Sequence, residues 1–152
     1  IAAAARTLGH RHEVLEIGSY DVNGTIRHLF DCDKYHGIDR RPGPGVDEVA
    51  SGESYISEPF DTVVCAEVLD HTSAAERICL NAYHLLTPGG VFILTAAGPG
   101  RVPHGCNGGS LGTDEFYANV TTGDLERWLR MFKFPQIDVL GDDIRAIAIK
   151  AL

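Results

Sequence analysis

Apolar positions along the chain group in two ways. At 91–96 they run almost unbroken through Val-Phe-Ile-Leu-Thr-Ala, which marks a strand buried on both faces of a sheet. At 73–86 they are spaced, with Ile78, Tyr83, Leu85 and Leu86 among polar residues, which predicts a helix that Pro88-Gly89-Gly90 stops. Shorter runs predict strands at 13–17, 34–39, 46–50 and 62–66, and short helices are expected at 2–8, 25–30 and 125–132. Arg41-Pro42-Gly43-Pro44-Gly45 cannot propagate a helix, so that crossover reads as a loop. Residues 136–140 and 144–150 flank Gly141-Asp142-Asp143 as a closing hairpin. Strand and helix therefore alternate. The pattern predicts an α/β fold, a mostly parallel sheet with helices on both faces and a C-terminal antiparallel strand.

The chemistry concentrates where the first strand ends, in Val14-Leu15-Glu16-Ile17-Gly18-Ser19-Tyr20-Asp21-Val22-Asn23-Gly24. Gly18 lets backbone approach a ligand closely, Gly24 frees the start of the next helix, and that helix N-terminus offers unpaired N–H groups. This reads as a nucleotide-type cofactor site. A dinucleotide turn wants G-x-G-x-x-G, but Tyr20 and Val22 stand where further glycines belong, and Glu16 suits a cationic ligand better than a diphosphate. A nicotinamide oxidoreductase is thereby disfavoured. The run Tyr35-His36-Gly37-Ile38-Asp39 ends in a second acid, 23 residues after Glu16, where a carboxylate can accept both hydroxyls of a ribose. Two blander roles stay open: Asp39 as a turn cap and Glu16 as a structural carboxylate.

Two further segments complete the pattern: Phe60-Asp61-Thr62-Val63-Val64-Cys65-Ala66-Glu67-Val68-Leu69-Asp70-His71, and Leu86-Thr87-Pro88-Gly89-Gly90-Val91-Phe92-Ile93-Leu94-Thr95. With these in order, the chain resembles the class I S-adenosylmethionine-dependent methyltransferases over about residues 13–97. It is most similar to the small-molecule type, with an E-V-L-E-H-like segment after the fourth strand and L-x-P-G-G before the fifth. The resemblance implies a Rossmann-like fold and S-adenosyl-L-methionine as cofactor. It also implies cofactor contacts at Glu16, Gly18, Ser19, Gly24, Asp39, Arg40, Ser51, Gly52, Cys65, Ala66 and Glu67, with Glu16 near the methionine end. His71, His104 and Tyr117 are the candidate catalytic residues, His71 as a general base or a helix-capping or packing histidine. The chain departs from the family's pattern in three places. Tyr20 and Val22 crowd the first loop, Ser51-Gly52 replaces the acid that often holds the adenine amino group, and Asp70 stands for the Glu before His71. No S/N/D-P-P-Y/F follows the fourth strand and no Pro-Cys nucleophile is present, which argues against methylation of DNA bases.

Residues 98–122 form a long glycine-bearing segment that leaves the fifth strand where open α/β sheets bind ligands, so they read as a substrate lid or a mobile surface loop. Its possible acceptor contacts are His104, Asn107, Asp114, Tyr117 and Asn119. The 152 residues are expected to form a single domain with that lid attached. Lys plus Arg number 13 against 21 Asp plus Glu, a formal charge of −8, so nucleic acid is a disfavoured partner and a small-molecule substrate is expected. Cys32, Cys65, Cys79 and Cys106 show no C-x-x-C spacing and read as reduced thiols, Cys65 and Cys79 as core residues. No metal site is expected. No apolar run is long enough for a membrane span and no signal peptide is evident, which points to the cytoplasm; a homo-oligomer is compatible with the chain. The chain begins with Ile1 rather than Met, as expected if its native N-terminus is missing. The reading from another functional class is a binding or assembly protein that uses a methyltransferase-like fold without turnover.

Overall fold

In the computed structural model, which describes residues 1–152, the apolar runs lie side by side in one seven-stranded sheet. Its strands are β1 (Arg11–Ile17), β2 (Cys32–Asp39), β3 (Glu48–Val49), β4 (Phe60–Ala66), β5 (Leu86–Ala97), β6 (Lys133–Leu140) and β7 (Asp143–Ile149), in the order β3-β2-β1-β4-β5-β7-β6. The first five are parallel, β7 runs antiparallel to β5, and β6 returns antiparallel to β7 as the expected hairpin. The strand order reverses beside β1, and a parallel sheet opens a ligand crevice at such a switch point.

Period-2 alternation divides the core into two layers. Leu15, Ile17, Val63, Cys65, Phe92 and Leu94 face α2 (Ala75–Leu85) and α3 (Thr122–Trp128), which contribute Ile78, Cys79, Ala82, Leu85 and Leu125 to the same cluster. Val14, Val64, Val91 and Ile93 face the other way, against Ala5 of α1 (Ala2–Leu8) and Phe30. Helices thus cover both faces, as the alternating pattern predicts.

Several elements differ from expectation, each for a local reason. The helix predicted at 25–30 is only a 3-10 turn, Arg27–Leu29. Asp21 Oδ1 accepts the Gly24 N–H at 2.7 Å, which closes the preceding segment into a turn, and the β-branched Thr25 and Ile26 favour no helix there. The loop after β1 therefore presents no α-helix N-terminus, and the unpaired helix N–H groups expected there are absent. The third strand shrinks from 46–50 to Glu48–Val49 at the exposed sheet edge. The last helix begins at Thr122 rather than 125, because Thr121 and Asp124 form a capping box: Thr121 Oγ1 accepts from Asp124 N at 3.2 Å, and the Asp124 carboxylate accepts from Thr121 N at 3.0 Å. It also ends at Trp128, short of the predicted 132. Strand β5 starts at Leu86, immediately after α2, because Lys150 holds the Thr87–Gly90 segment in the sheet by donating Nζ to Leu86 O at 2.6 Å and its own N–H to Gly90 O at 2.9 Å.

Leu125 is fully buried and joins α3 to the sheet, whereas Thr121 works through the helix end alone. Leu125→Ala is expected to cost about 2–5 kcal/mol by leaving a cavity, and Thr121→Ala about 1 kcal/mol by uncapping the helix. Urea denaturation of the two variants should preserve that ranking; equal losses would mean that α3 is not anchored through Leu125.

Candidate functional site

A cavity of about 1070 Å³ opens over the C-terminal ends of β1, β2 and β4. Its wall includes Glu16, Gly18, Ser19, Gly24, Asp39, Arg40, Ser51, Gly52, Ala66, Glu67, His71 and His104, all singled out by the sequence. Four other candidates are not on that wall: Asn107 and Asn119 of the 98–122 segment, Cys65 and Tyr117. Cys65 points into the α2 side of the core and is fully buried, because the alternation of β4 turns its side chain away from the crevice. Tyr117 stands behind the wall, packed edge-on against the rings of His71 and His104 at 5.5 and 5.1 Å.

The first loop is built around a missing side chain. Gly18 has φ +84°, and a Cβ there would lie 2.1 Å from Val68 Cγ2, so neither its conformation nor its surroundings admit another residue. The N–H groups of Gly18 and Ser19 both donate to Ile38 O, at 2.8 and 3.1 Å, which clamps the loop to the end of β2. Asp39, just beyond, accepts from Tyr20 N at 3.4 Å and from Arg41 N at 3.0 Å, so the turn-capping role is realised while the carboxylate also borders the cavity. Tyr20 turns its ring toward the 41–45 loop, under the Arg41 guanidinium at 4.6 Å, where Gly43 leaves room for it. Arg41 then reaches across to donate to Asn107 Oδ1 at 2.7 Å.

Three glutamates of the cavity wall, Glu16, Glu67 and Glu53, have different surroundings. Glu16 shares the face of Val14, so its carboxylate is buried and accepts from Tyr35 Oη at 2.9 Å; burial pushes its pKa up to about 7, against the Tyr35 hydrogen bond and the Arg27 charge, which favour the ionised form. Glu67 follows β4 at φ +55°, a left-handed conformation unusual outside glycine, with its N–H on Thr95 O at 2.9 Å. Burial also raises its carboxyl. Glu53, which the sequence reading passed over, lines the wall two residues after Ser51 and is bound to Arg77 at 2.6 and 2.7 Å. Asn81 fixes that turn by donating to Gly52 O and Tyr55 O.

The 98–122 segment supplies much of the opposite wall, with Arg101, His104, Cys106 and Glu115 among its contributions. Apart from His104 these were not singled out as site residues, since nothing in their spacing sets them apart from ordinary loop residues. The segment is pinned at its ends: Gly98 N donates to Asp142 O, Ala118 N to Asp70 O and Val120 N to Ala97 O. Its middle is held mainly by itself, through Glu115 accepting from Cys106 N and Gly112 N. Beneath it lies Asp70, fully buried, with His71 Nε2 3.3 Å from its Oδ2. Burial lowers the His71 pKa, and the His104 charge lowers it further, against the Asp70 charge.

The methyltransferase domain family matches residues 37–94. No curated protein sequence matches the chain. Among solved structures, the chain is similar to the N-methyltransferase NodS from Bradyrhizobium japonicum WM9, at 16% identity and TM-score 0.66, covering 99% of this chain and 92% of that one. It is similar to a Burkholderia thailandensis 1,6-didemethyltoxoflavin N1-methyltransferase bound to 1,6-didemethyltoxoflavin and S-adenosylhomocysteine, at 17% identity and TM-score 0.73, covering 99% and 76%. It also resembles Haemonchus contortus phosphoethanolamine N-methyltransferase 2 in complex with S-adenosyl-L-methionine, at 15% identity and TM-score 0.71, covering 99% and 52%. At these identities the likeness to solved structures is one of fold. The chain thus shares the fold of these methyltransferases, and residues 37–94 match the methyltransferase domain family.

Proposed function

We propose that the chain methylates a small-molecule acceptor, with S-adenosylmethionine lying across the ends of β1, β2 and β4. In this reading Asp39 accepts the ribose hydroxyls with Arg40 beside it, Ser51 and Gly52 border the adenine, and Glu16, Gly18, Ser19 and Glu67 face the methionine portion. Gly24 and Ala66 border the same groove. The observation that carries it is one cavity whose wall holds an acid at the ends of three neighbouring parallel strands: Glu16 in β1, Asp39 in β2 and Glu67 directly after β4. S-adenosylmethionine carries a sulfonium and an ammonium, and an acidic wall stabilises both. A volume of about 1070 Å³ leaves room for a second, small ligand beside the cofactor. The net charge of −8 disfavours a polyanionic acceptor, and the small ligands held by the Burkholderia and Haemonchus enzymes fit the same class. The four unpaired cysteines fit a reducing cytoplasm, and no helix is long and apolar enough to cross a membrane.

The sulfonium is already an activated electrophile, so the protein's work is to align the acceptor with the S–CH₃ bond and exclude water. The 98–122 segment is proposed as the lid that does both, with His71 and His104 at the acceptor end and Tyr117 behind them. Its pinned ends and self-bonded middle suit a flap that rests on its anchors.

Three outcomes test the reading. Asp39→Ala removes charge-assisted hydrogen bonds worth roughly 1.5–3 kcal/mol each, so isothermal titration should show at least a tenfold loss of cofactor affinity. Unchanged affinity would withdraw Asp39 from the ribose. The second outcome concerns pH. Free Glu16 titrates at about 7, and a cationic cofactor favours its ionised form, so binding below that pH must displace a proton. Affinity should therefore rise as pH is taken from below 7 to above it and then level off, while Glu16→Gln should flatten the profile; identical profiles would place Glu16 away from the cofactor's charge. Third, amide hydrogen exchange within 102–116 should slow when cofactor and acceptor bind, and exchange that ignores both ligands would show that the segment is no lid.

A further inference from the structure

Asp70 is completely buried, yet neither of its carboxylate oxygens has a hydrogen-bond partner. An isolated buried carboxylate is costly, and proteins relieve it with a partner cation, a proton or a metal. Its near neighbours are two imidazoles, with His71 Nε2 at 3.3 Å and His104 Nε2 at 4.0 Å from the same oxygen, Oδ2. His104 Nδ1 lies 3.1 Å from Val102 O, which only accepts, so Nδ1 carries a proton, and in the neutral ring Nε2 turns its lone pair toward the carboxylate. A lone pair facing an anion is repulsive unless a cation stands between them. The carbonyl behind His104 is the arrangement that orients metal-bound histidines.

We propose that Asp70, His71 and His104 bind a divalent transition-metal ion of the zinc or cobalt type. One ligand atom from each lies within 4.8 Å of the others. Bonds of about 2.0–2.2 Å in a tetrahedral shell put neighbouring donors roughly 3.3–3.5 Å apart. The Asp70–His71 pair already has that spacing, and His104 Nε2, 4.0 Å from Asp70 Oδ2 and within 4.8 Å of the His71 donor, reaches it by a shift of its loop. Two imidazoles and a carboxylate form a set that leaves coordination positions vacant, and borderline metals prefer it to magnesium or calcium. His71 and His104 line the cavity while Asp70 lies behind them, so the vacant positions face the cavity. An oxygen or nitrogen of the acceptor would complete the shell, a consequence that rests on the acceptor reading above; binding of the ion does not. The ion would also join the turn after β4 to the 98–122 segment, from which His104 comes.

A second cluster, His10, His12 and Asp33, is exposed, and its carboxylate is already bonded to His12 at 2.7 Å, so it serves as the control. Chelator-treated protein should be titrated with Co²⁺, followed by its visible d–d absorption, and with Zn²⁺ by calorimetry. One ion per chain with an intense, low-symmetry Co²⁺ spectrum is expected, unchanged in His12→Ala. In His104→Ala, a loop substitution whose folding circular dichroism can check, affinity should fall at least about tenfold, and Asp70→Asn should do the same. No binding, or binding that survives His104→Ala and disappears in His12→Ala, would overturn the site. S-adenosylmethionine affinity of His104→Ala, measured without metal, separates this outcome from failure of the cofactor reading, which predicts it to be retained.

Discussion

The absence of a side chain at residue 18 is the constraint on which the site depends. At the end of β1 the backbone must turn in a left-handed conformation against Val68, and the two N–H groups that emerge are both taken by Ile38. Ile38 is followed directly by Asp39, Val68 directly by the turn that carries Asp70 and His71. One tight turn therefore fixes the relative positions of the ends of β1, β2 and β4. A Cβ at 18 would displace the Val68 side chain, so its effect would spread beyond the first loop.

The sequence made the central sheet legible because continuous apolar runs between turn residues have few alternatives. The 91–96 run and the hairpin around Gly141 lie where their patterns place them. Elements decided by side-chain-to-backbone bonds were less legible. Thr25–Phe30 has enough apolar residues for a short helix, but the Asp21–Gly24 hydrogen bond closes the loop first. The start of α3 moved to a capping box whose Thr121 and Asp124 precede the apolar residues that signal the helix. The glycines and acids at strand ends, Gly18, Asp39 and Glu67, were readable because their positions follow from where strands stop. Cys65, read both as a core residue and as a cofactor contact, lies in the core for a geometric reason: on a strand buried on both faces, a neighbour in sequence to a wall residue points to the opposite layer. Glu53 and the loop's own Glu115 carry no periodic signal at all, and only the fold brings them to the cavity.

Electrostatics at this end of the sheet are lopsided. Glu16 and Glu67 have their carboxyls raised by burial, and Asp70 sits deeper still without a hydrogen bond. A fold stabilised only for itself would replace such groups with apolar residues, because removing a charge from water is rarely repaid by distant partners. Their retention around one cavity makes the empty protein the less stabilised state of its own site. Each is a place where positive charge stabilises the folded chain, whether on a sulfonium, an ammonium or a metal ion.

The 98–122 segment belongs to the same balance. Its ends are tied to Asp142, Ala97 and Asp70 by backbone hydrogen bonds, but its middle contributes few apolar side chains to either core layer. What holds that middle over the cavity from outside the segment is polar: Arg41 donates to Asn107 from across the groove. Polar contacts at a cavity mouth are individually weak and exchange with water, so the position of the segment is set by small differences in free energy. A ligand that adds one strong interaction to this wall can therefore shift it, which a segment anchored in the apolar core would resist.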